Sequence, residues 1–94
     1  MPIAAKVNDK GSQHEGYPAT PVIAGSTTVF FDSLAAARMG DPLTPHSKPL
    51  HPAHPRKIAS GSATVFIDGK PAARTGDCID CGGVLIGSGT VNIG

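Results

Sequence analysis

The apolar positions of this chain fall in short runs that suit strands, each broken by a turn. Thr64-Val65-Phe66-Ile67 is β-branched and aromatic, the composition that packs well on a pleated surface. Asp68-Gly69 follows, a strong signal for a two-residue hairpin turn. Pro71-Ala72-Ala73-Arg74 then reads as the returning strand, with Pro where a strand start or sheet edge tolerates a missing N–H. Arg74-Thr75-Gly76-Asp77 closes the unit. The same unit stands 36 residues earlier, where Gly25 to Asp41 aligns with Gly61 to Asp77 at 11 identical positions out of 17. Its turn, Asp32-Ser33, is a weaker version. Ala35-Ala36-Ala37-Arg38 has helical propensity taken alone, but the aligned copy has Pro71, so both are read as extended. A third, shortened copy, Gly87-Ser88-Gly89-Thr90-Val91-Asn92-Ile93-Gly94, follows the second by 26 residues.

Self-similarity of this kind decides the architecture. It predicts an all-β body, a small cone of short strands and hairpins with approximate three-fold symmetry. One domain is expected over residues 1–94, with copies at about 6–41, 42–77 and 78–94. Gly25, Gly61 and Gly87 each precede a Ser and a strand, which implies a positive φ or the close approach of a neighbour at that place.

Composition sharpens the picture by showing a weakness. A chain of 94 residues buries about two-thirds or less of its unfolded surface, and this one has no Trp, one Tyr and three Phe. Domains of this size commonly add a disulfide, a metal or a partner. The charges nearly cancel, with eight Lys and Arg against seven Asp and Glu, which argues against a nucleic-acid surface. No apolar run approaches the roughly 20 residues of a membrane span. Nor does a signal-peptide-like stretch follow Lys6. The expectation is a protein made in the cytoplasm and exported, if at all, by a dedicated machine. Cys78 and Cys81 form a C-x-x-C, which in a reducing compartment is more often metal-binding or redox-active than a structural disulfide. The βαβ context of a thioredoxin-like site is missing.

The repeat selects the metal candidates. Asp9 is followed five residues later by His14, Asp41 five later by His46, and Asp77 four later by Cys81. Three metal-competent side chains therefore occupy equivalent places in three copies. A fourth ligand is His54 or His51; His54 precedes Gly61 by seven residues, much as Cys81 precedes Gly87 by six. Three imidazoles and one thiolate make a closed tetrahedral set that suits structural Zn²⁺, with iron the alternative. Cys78 has no metal-competent counterpart in another copy and reads as a spare thiol. A catalytic zinc would need an open position and a base. Glu15, the chain's only Glu, is the sole candidate, and no nucleophile pair or phosphate-cradling loop accompanies it. The expectation is a non-enzymatic protein. Arg38 with Asp41, and Arg74 with Asp77, are expected to pair locally or to satisfy turn amides.

Pro71-Ala72-Ala73-Arg74, within Gly61-Ser62-x-Thr64-Val65-x-x-x-Gly69-x-Pro71-Ala72-Ala73-Arg74-x-Gly76-Asp77, resembles the repeat of PAAR-domain proteins; the first copy has Ala35 in place of the motif's Pro. The resemblance covers the chain from Lys6 to Gly94. It implies a β cone whose broad base binds the blunt end of a trimeric valine-glycine-repeat (VgrG-type) spike of type VI secretion, one cap per trimer. It also implies one zinc near the vertex, held by three His and one Cys, which map to His14, His46, His54 and Cys81. His54 is preferred because it lies four residues before Ile58, matching a family His placed before a strand. The base is expected to present Val29, Val65 and Val91, or their neighbours. The expectation is a bare tip that assists membrane puncture, without an appended toxin and with an effector at most carried noncovalently. The alternatives are the tip of a phage tail or other contractile spike, and a stand-alone zinc-binding or enzymatic domain.

Overall fold

The computed structural model describes all of residues 1–94 and contains strands, bridges and turns but no helix. The strands are β1 (Lys10–Gly11), β2 (Thr20–Pro21), β3 (Phe30–Phe31), β4 (Leu34–Ala35), β5 (Pro42–Lys48), β6 (His51–Lys57), β7 (Phe66–Ile67), β8 (Lys70–Pro71) and β9 (Leu85–Ile86). They form antiparallel pairs β3–β4, β5–β6 and β7–β8 and a three-stranded sheet in the order β2-β1-β9. The molecule is elongated, 40 × 23 × 21 Å.

Both full repeats form the expected hairpin. Phe66 faces Pro71 and Phe30 faces Ala35 in matching register. The intervening turns have positive φ at both central residues, 54° and 78° at Asp68-Gly69 and 50° and 67° at Asp32-Ser33. That is the turn whose twist matches the flanking strands. The copy that stops in sequence at Gly94 is completed in space by the first residues of the chain. Ile3 bridges Asn92, and Ala4 N–H donates to the Val91 carbonyl, as Ala36 does to Val29 and Ala72 to Val65.

The three units join through a closed ring. Ala37 N–H donates to the Ala5 carbonyl (3.0 Å), Ala73 N–H to Ala37 (3.0 Å) and Ala5 N–H to Ala73 (2.9 Å). All three alanines are fully buried. Beside the ring each unit has one clip. The Asp41 carboxylate accepts from the Arg38 backbone N–H and pairs with its guanidinium; Asp77 does the same for Arg74, and Asp9 accepts from the Lys6 backbone N–H and pairs with its ammonium. The turn spanned by each clip needs a left-handed residue just before its Asp, and Asn8, Gly40 and Gly76 supply it at φ of 80°, 94° and 93°. The glycines before the strands do not have positive φ. Gly25 allows close approach instead: a Cβ there would stand 2.5 Å from the Ala36 carbonyl oxygen.

Ala5, Ala37 and Ala73 pack with Val22, Leu43, Ile58, Ile79 and Leu85 to make the main core. Strand alternation sends the adjoining Ala36 and Ala72 to a smaller cluster with Ile67, edged by Val29, Phe31, Val65 and Ile93. The three valines expected at the base, Val29, Val65 and Val91, are half-buried, and of their neighbours Phe30 and Phe66 are exposed, each at 57 %.

Units are also laced together by Asp side chains at the hairpin turns. Asp68 accepts from Ser26 and Thr28 of the first unit, and Asp32 accepts from the Thr90 hydroxyl and backbone N–H. These hydrogen bonds, from the Ser26 hydroxyl for Asp68 and the Thr90 hydroxyl for Asp32, hold both carboxyls below the ordinary aspartate value. A depressed folded-state pKa contributes stability above the unfolded value of about 3.9, and that stability is lost as pH falls through the folded value. Wild type should therefore melt above the Asp32→Asn/Asp68→Asn variant at pH 7. The two curves should converge below about pH 4. Equal melting temperatures at pH 7 would remove these carboxylates from the account.

Candidate metal centre

Three excursions leave the ring after the clip residues Asp9, Asp41 and Asp77, and return at Val22, Ile58 and Leu85. Each return is fixed by a backbone hydrogen bond to the same Asp. Each excursion brings metal-competent side chains: His14 on the first, His46 and His54 on the second, Cys81 on the third. The second excursion is the richest in proline. Despite its prolines it is the longest hairpin of the chain, β5–β6, with Leu43 facing Arg56, His46 facing His54 and Lys48 facing His51. A two-stranded sheet leaves outward N–H positions that need no partner, so prolines fit there, and irregular register on both sides of His46 absorbs the rest.

Cross-strand pairing at His46/His54 sets the geometry. The ligand atoms of His14, His46, His54 and Cys81 all lie within 4.8 Å of one another. His46 Nε2 stands 3.1 Å from His14 Nε2, 2.7 Å from His54 Nε2 and 3.7 Å from Cys81 Sγ. In a tetrahedral zinc site with Zn–N of about 2.0–2.1 Å and Zn–S of about 2.3 Å, N···N edges are roughly 3.3 Å and N···S edges roughly 3.6 Å. The His46–Cys81 edge is close to that spacing and the His46–His14 and His46–His54 edges fall inside it, while the set as a whole spreads to 4.8 Å.

The hydrogen bonding of His46 argues for a cation more strongly than the distances do. Its Nδ1 lies 2.8 Å from the Pro18 carbonyl oxygen, which only accepts, so the ring proton belongs on Nδ1. Burial, the main cause, pushes the His46 pKa down, and the nearby Arg56, His54 and His14 add to this. The neutral ring then presents a bare Nε2 lone pair to two imidazole nitrogens and a sulfur. One lone pair does not satisfy three such neighbours as a hydrogen-bond acceptor. A central metal ion does, and a carbonyl fixing the far nitrogen is the usual support for a ligating His. These four residues fit a structural metal.

His51 stays outside the cluster, exposed at the far end of the hairpin. Cys78 is exposed as well, bridging Val84 through its backbone. Glu15 is exposed, and its carbonyl accepts from Lys48 Nζ.

The sequence pattern of the PAAR motif family matches residues 12–87, a span containing all four cluster residues and both full repeats. The chain belongs to the PAAR motif family. No curated protein matches it. PAAR proteins are structural proteins of spike tips, and membership suggests a spike as the partner.

Two residues of this PAAR chain that sequence reasoning missed complete the centre. Tyr17 stacks on His14 at 5.3 Å and lies 4.9 Å from His46 and 4.5 Å from His54, with Lys48 Nζ 4.6 Å above its ring. It shields the imidazoles from one side. Arg56 is buried and donates from Nε to Cys81 Sγ at 3.3 Å. Neither has a counterpart in another repeat, so alignment of the copies could not point to them.

Proposed function

We propose that this chain is a single-domain, metal-stapled tip that caps and sharpens the trimeric VgrG-type spike of a type VI secretion system. The observation that carries the reading is the family match over residues 12–87. In this reading His14, His46, His54 and Cys81 hold one Zn²⁺. The ion supplies a cross-link among three excursions and no reaction, because four protein ligands close the shell. The chain's own residues do the rest. His46 is fixed by Pro18, Tyr17 covers the imidazoles, and the Ala5–Ala37–Ala73 ring ties the excursions to one base.

Exposed Phe30 and Phe66, at equivalent places in two repeats, supply apolar contact area for the blunt end of a spike. Asn92 takes the third place. One monomeric cap would sit on each trimer, be made in the cytoplasm and leave with the spike, carrying an effector or adaptor at most noncovalently and helping to breach the target membrane.

Native mass spectrometry after co-expression with a VgrG-type trimer is expected to show one chain per trimer. A Phe30→Asp/Phe66→Asp variant should lose the complex while keeping its melting temperature and metal. A folded, metal-loaded chain that forms no complex with that trimer but caps a phage-tail spike would move the assignment to another contractile device.

A further inference from the structure

Arg56 is 2 % exposed and takes part in none of the chain's four ion pairs. A buried charge without a counter-charge is costly, so its surroundings must supply compensation. All five of its N–H donors are used. Nη1 donates to the Gly11 carbonyl (3.1 Å) and Thr20 Oγ1 (3.0 Å), Nη2 to the carbonyls of Ser12 (2.8 Å) and Gly82 (3.1 Å), and Nε to Cys81 Sγ (3.3 Å). Four of these acceptors are neutral. The sulfur is the one that bears negative charge when it binds a metal, as a thiolate.

We propose that Arg56 is a positioning residue of the metal centre, acting through Cys81 and the backbone that bears the ligands; the proposal rests on the reading of the four-residue cluster as a metal site. Arg56 lies two residues from His54 on β6, so strand alternation turns both to one side. Its carbonyl contacts reach Ser12, two residues before His14, and Gly82, next to Cys81. One side chain thus links all three ligand-bearing segments. The Nε–H···S contact aims the sulfur at the cluster and withdraws electron density from it. Lys cannot replace this, because an ammonium has three donors and no planar fork.

The test uses the full chain loaded with Co²⁺, which gives a thiolate-to-metal absorption band. Wild type is expected to bind one Co²⁺ per chain. Arg56→Lys should bind about ten- to a hundredfold more weakly, with the band moved to longer wavelength because the sulfur has lost its hydrogen bond. Thr20→Val removes a different Arg56 contact and should leave the band in place. Equal affinity and an unmoved band in Arg56→Lys would overturn the proposal. Absence of any metal in folded wild type would overturn the underlying reading instead.

A measurement on wild type covers the case in which Arg56→Lys does not fold. With ¹¹³Cd bound, the Arg56 Nε–H proton is expected to show splitting from cadmium, transmitted through the N–H···S contact. A resolved Nε–H signal without that splitting overturns the role.

Discussion

Replacing His46 with Ala is expected to strip the bound metal and lower the melting temperature by more than about 10 °C. Structural zinc contributes about 10–16 kcal/mol of binding free energy in small zinc domains at neutral pH, and in such domains binding free energy is folding free energy. A domain near this size shifts by about 4–8 °C per kcal/mol, so losing even a few kcal/mol reaches the stated drop. His46 is the most buried of the three imidazoles in the cluster, and the only one seen to fix its far nitrogen on a carbonyl. Cys81→Ala should behave alike. Glu15→Ala and His51→Ala remove exposed side chains outside the cluster and should melt within a degree or two of wild type. Chelation supplies the decisive arm. A strong chelator should bring wild type down towards His46→Ala and leave that variant unmoved. Wild type unaffected by full metal removal would leave the ring standing and take the staple away.

The hairpin unit was legible because its signals are local. A β-branched and aromatic run, an Asp-led turn and a Pro-led return act within a dozen residues, and two copies corroborate each other. The metal cluster was legible for a different reason: His14, His46 and Cys81 follow equivalent clip residues, so whatever shape the repeats take, their excursions leave from equivalent points. Completion of the third unit by the chain's start was harder to see. Ile3-Ala4-Ala5-Lys6-Val7-Asn8-Asp9 matches Pro71 to Asp77 only at the two alanines and the Asp. Physically the match is closer, since Lys6 pairs with Asp9 as Arg74 does with Asp77, and Asn8 adopts the left-handed conformation of Gly76. Identity under-reports such equivalence. The β5–β6 hairpin was hidden by five prolines between Pro42 and Pro55, which argue against strand wherever both edges are paired. Only the two-stranded context makes them admissible, and that context is tertiary. Arg56 gave no signal, because its role depends on four segments meeting.

The ring makes a second large effect predictable. Ala5, Ala37 and Ala73 exchange backbone hydrogen bonds of 2.9–3.0 Å, so three segments of the chain meet at direct hydrogen-bonding distance, and no water-accessible surface is left on any of the three alanines. Enlarging Ala37 to Leu adds three carbon atoms at a fully buried position, inside the cluster that holds Val22, Leu43, Ile58, Ile79 and Leu85. Overpacking a tight core costs about 1–3 kcal/mol and occasionally more. Here the strain falls on bonds that close the whole body, since Ala37 takes part in two of the three ring bonds, one to Ala5 and one to Ala73. The expected result is a melting temperature lower by at least about 10 °C and a raised tendency to aggregate. Ala59→Leu adds the same atoms at an exposed position and should be close to neutral. The contrast with the metal variants lies in rescue. Excess Zn²⁺ should restore a weakened site such as Arg56→Lys by mass action, yet it cannot restore Ala37→Leu to wild-type stability, because the damage sits in the frame from which the excursions leave. A variant of Ala37 that melts like wild type would show that the backbones can part to admit a larger side chain, and the ring would then not be what fixes the three units together.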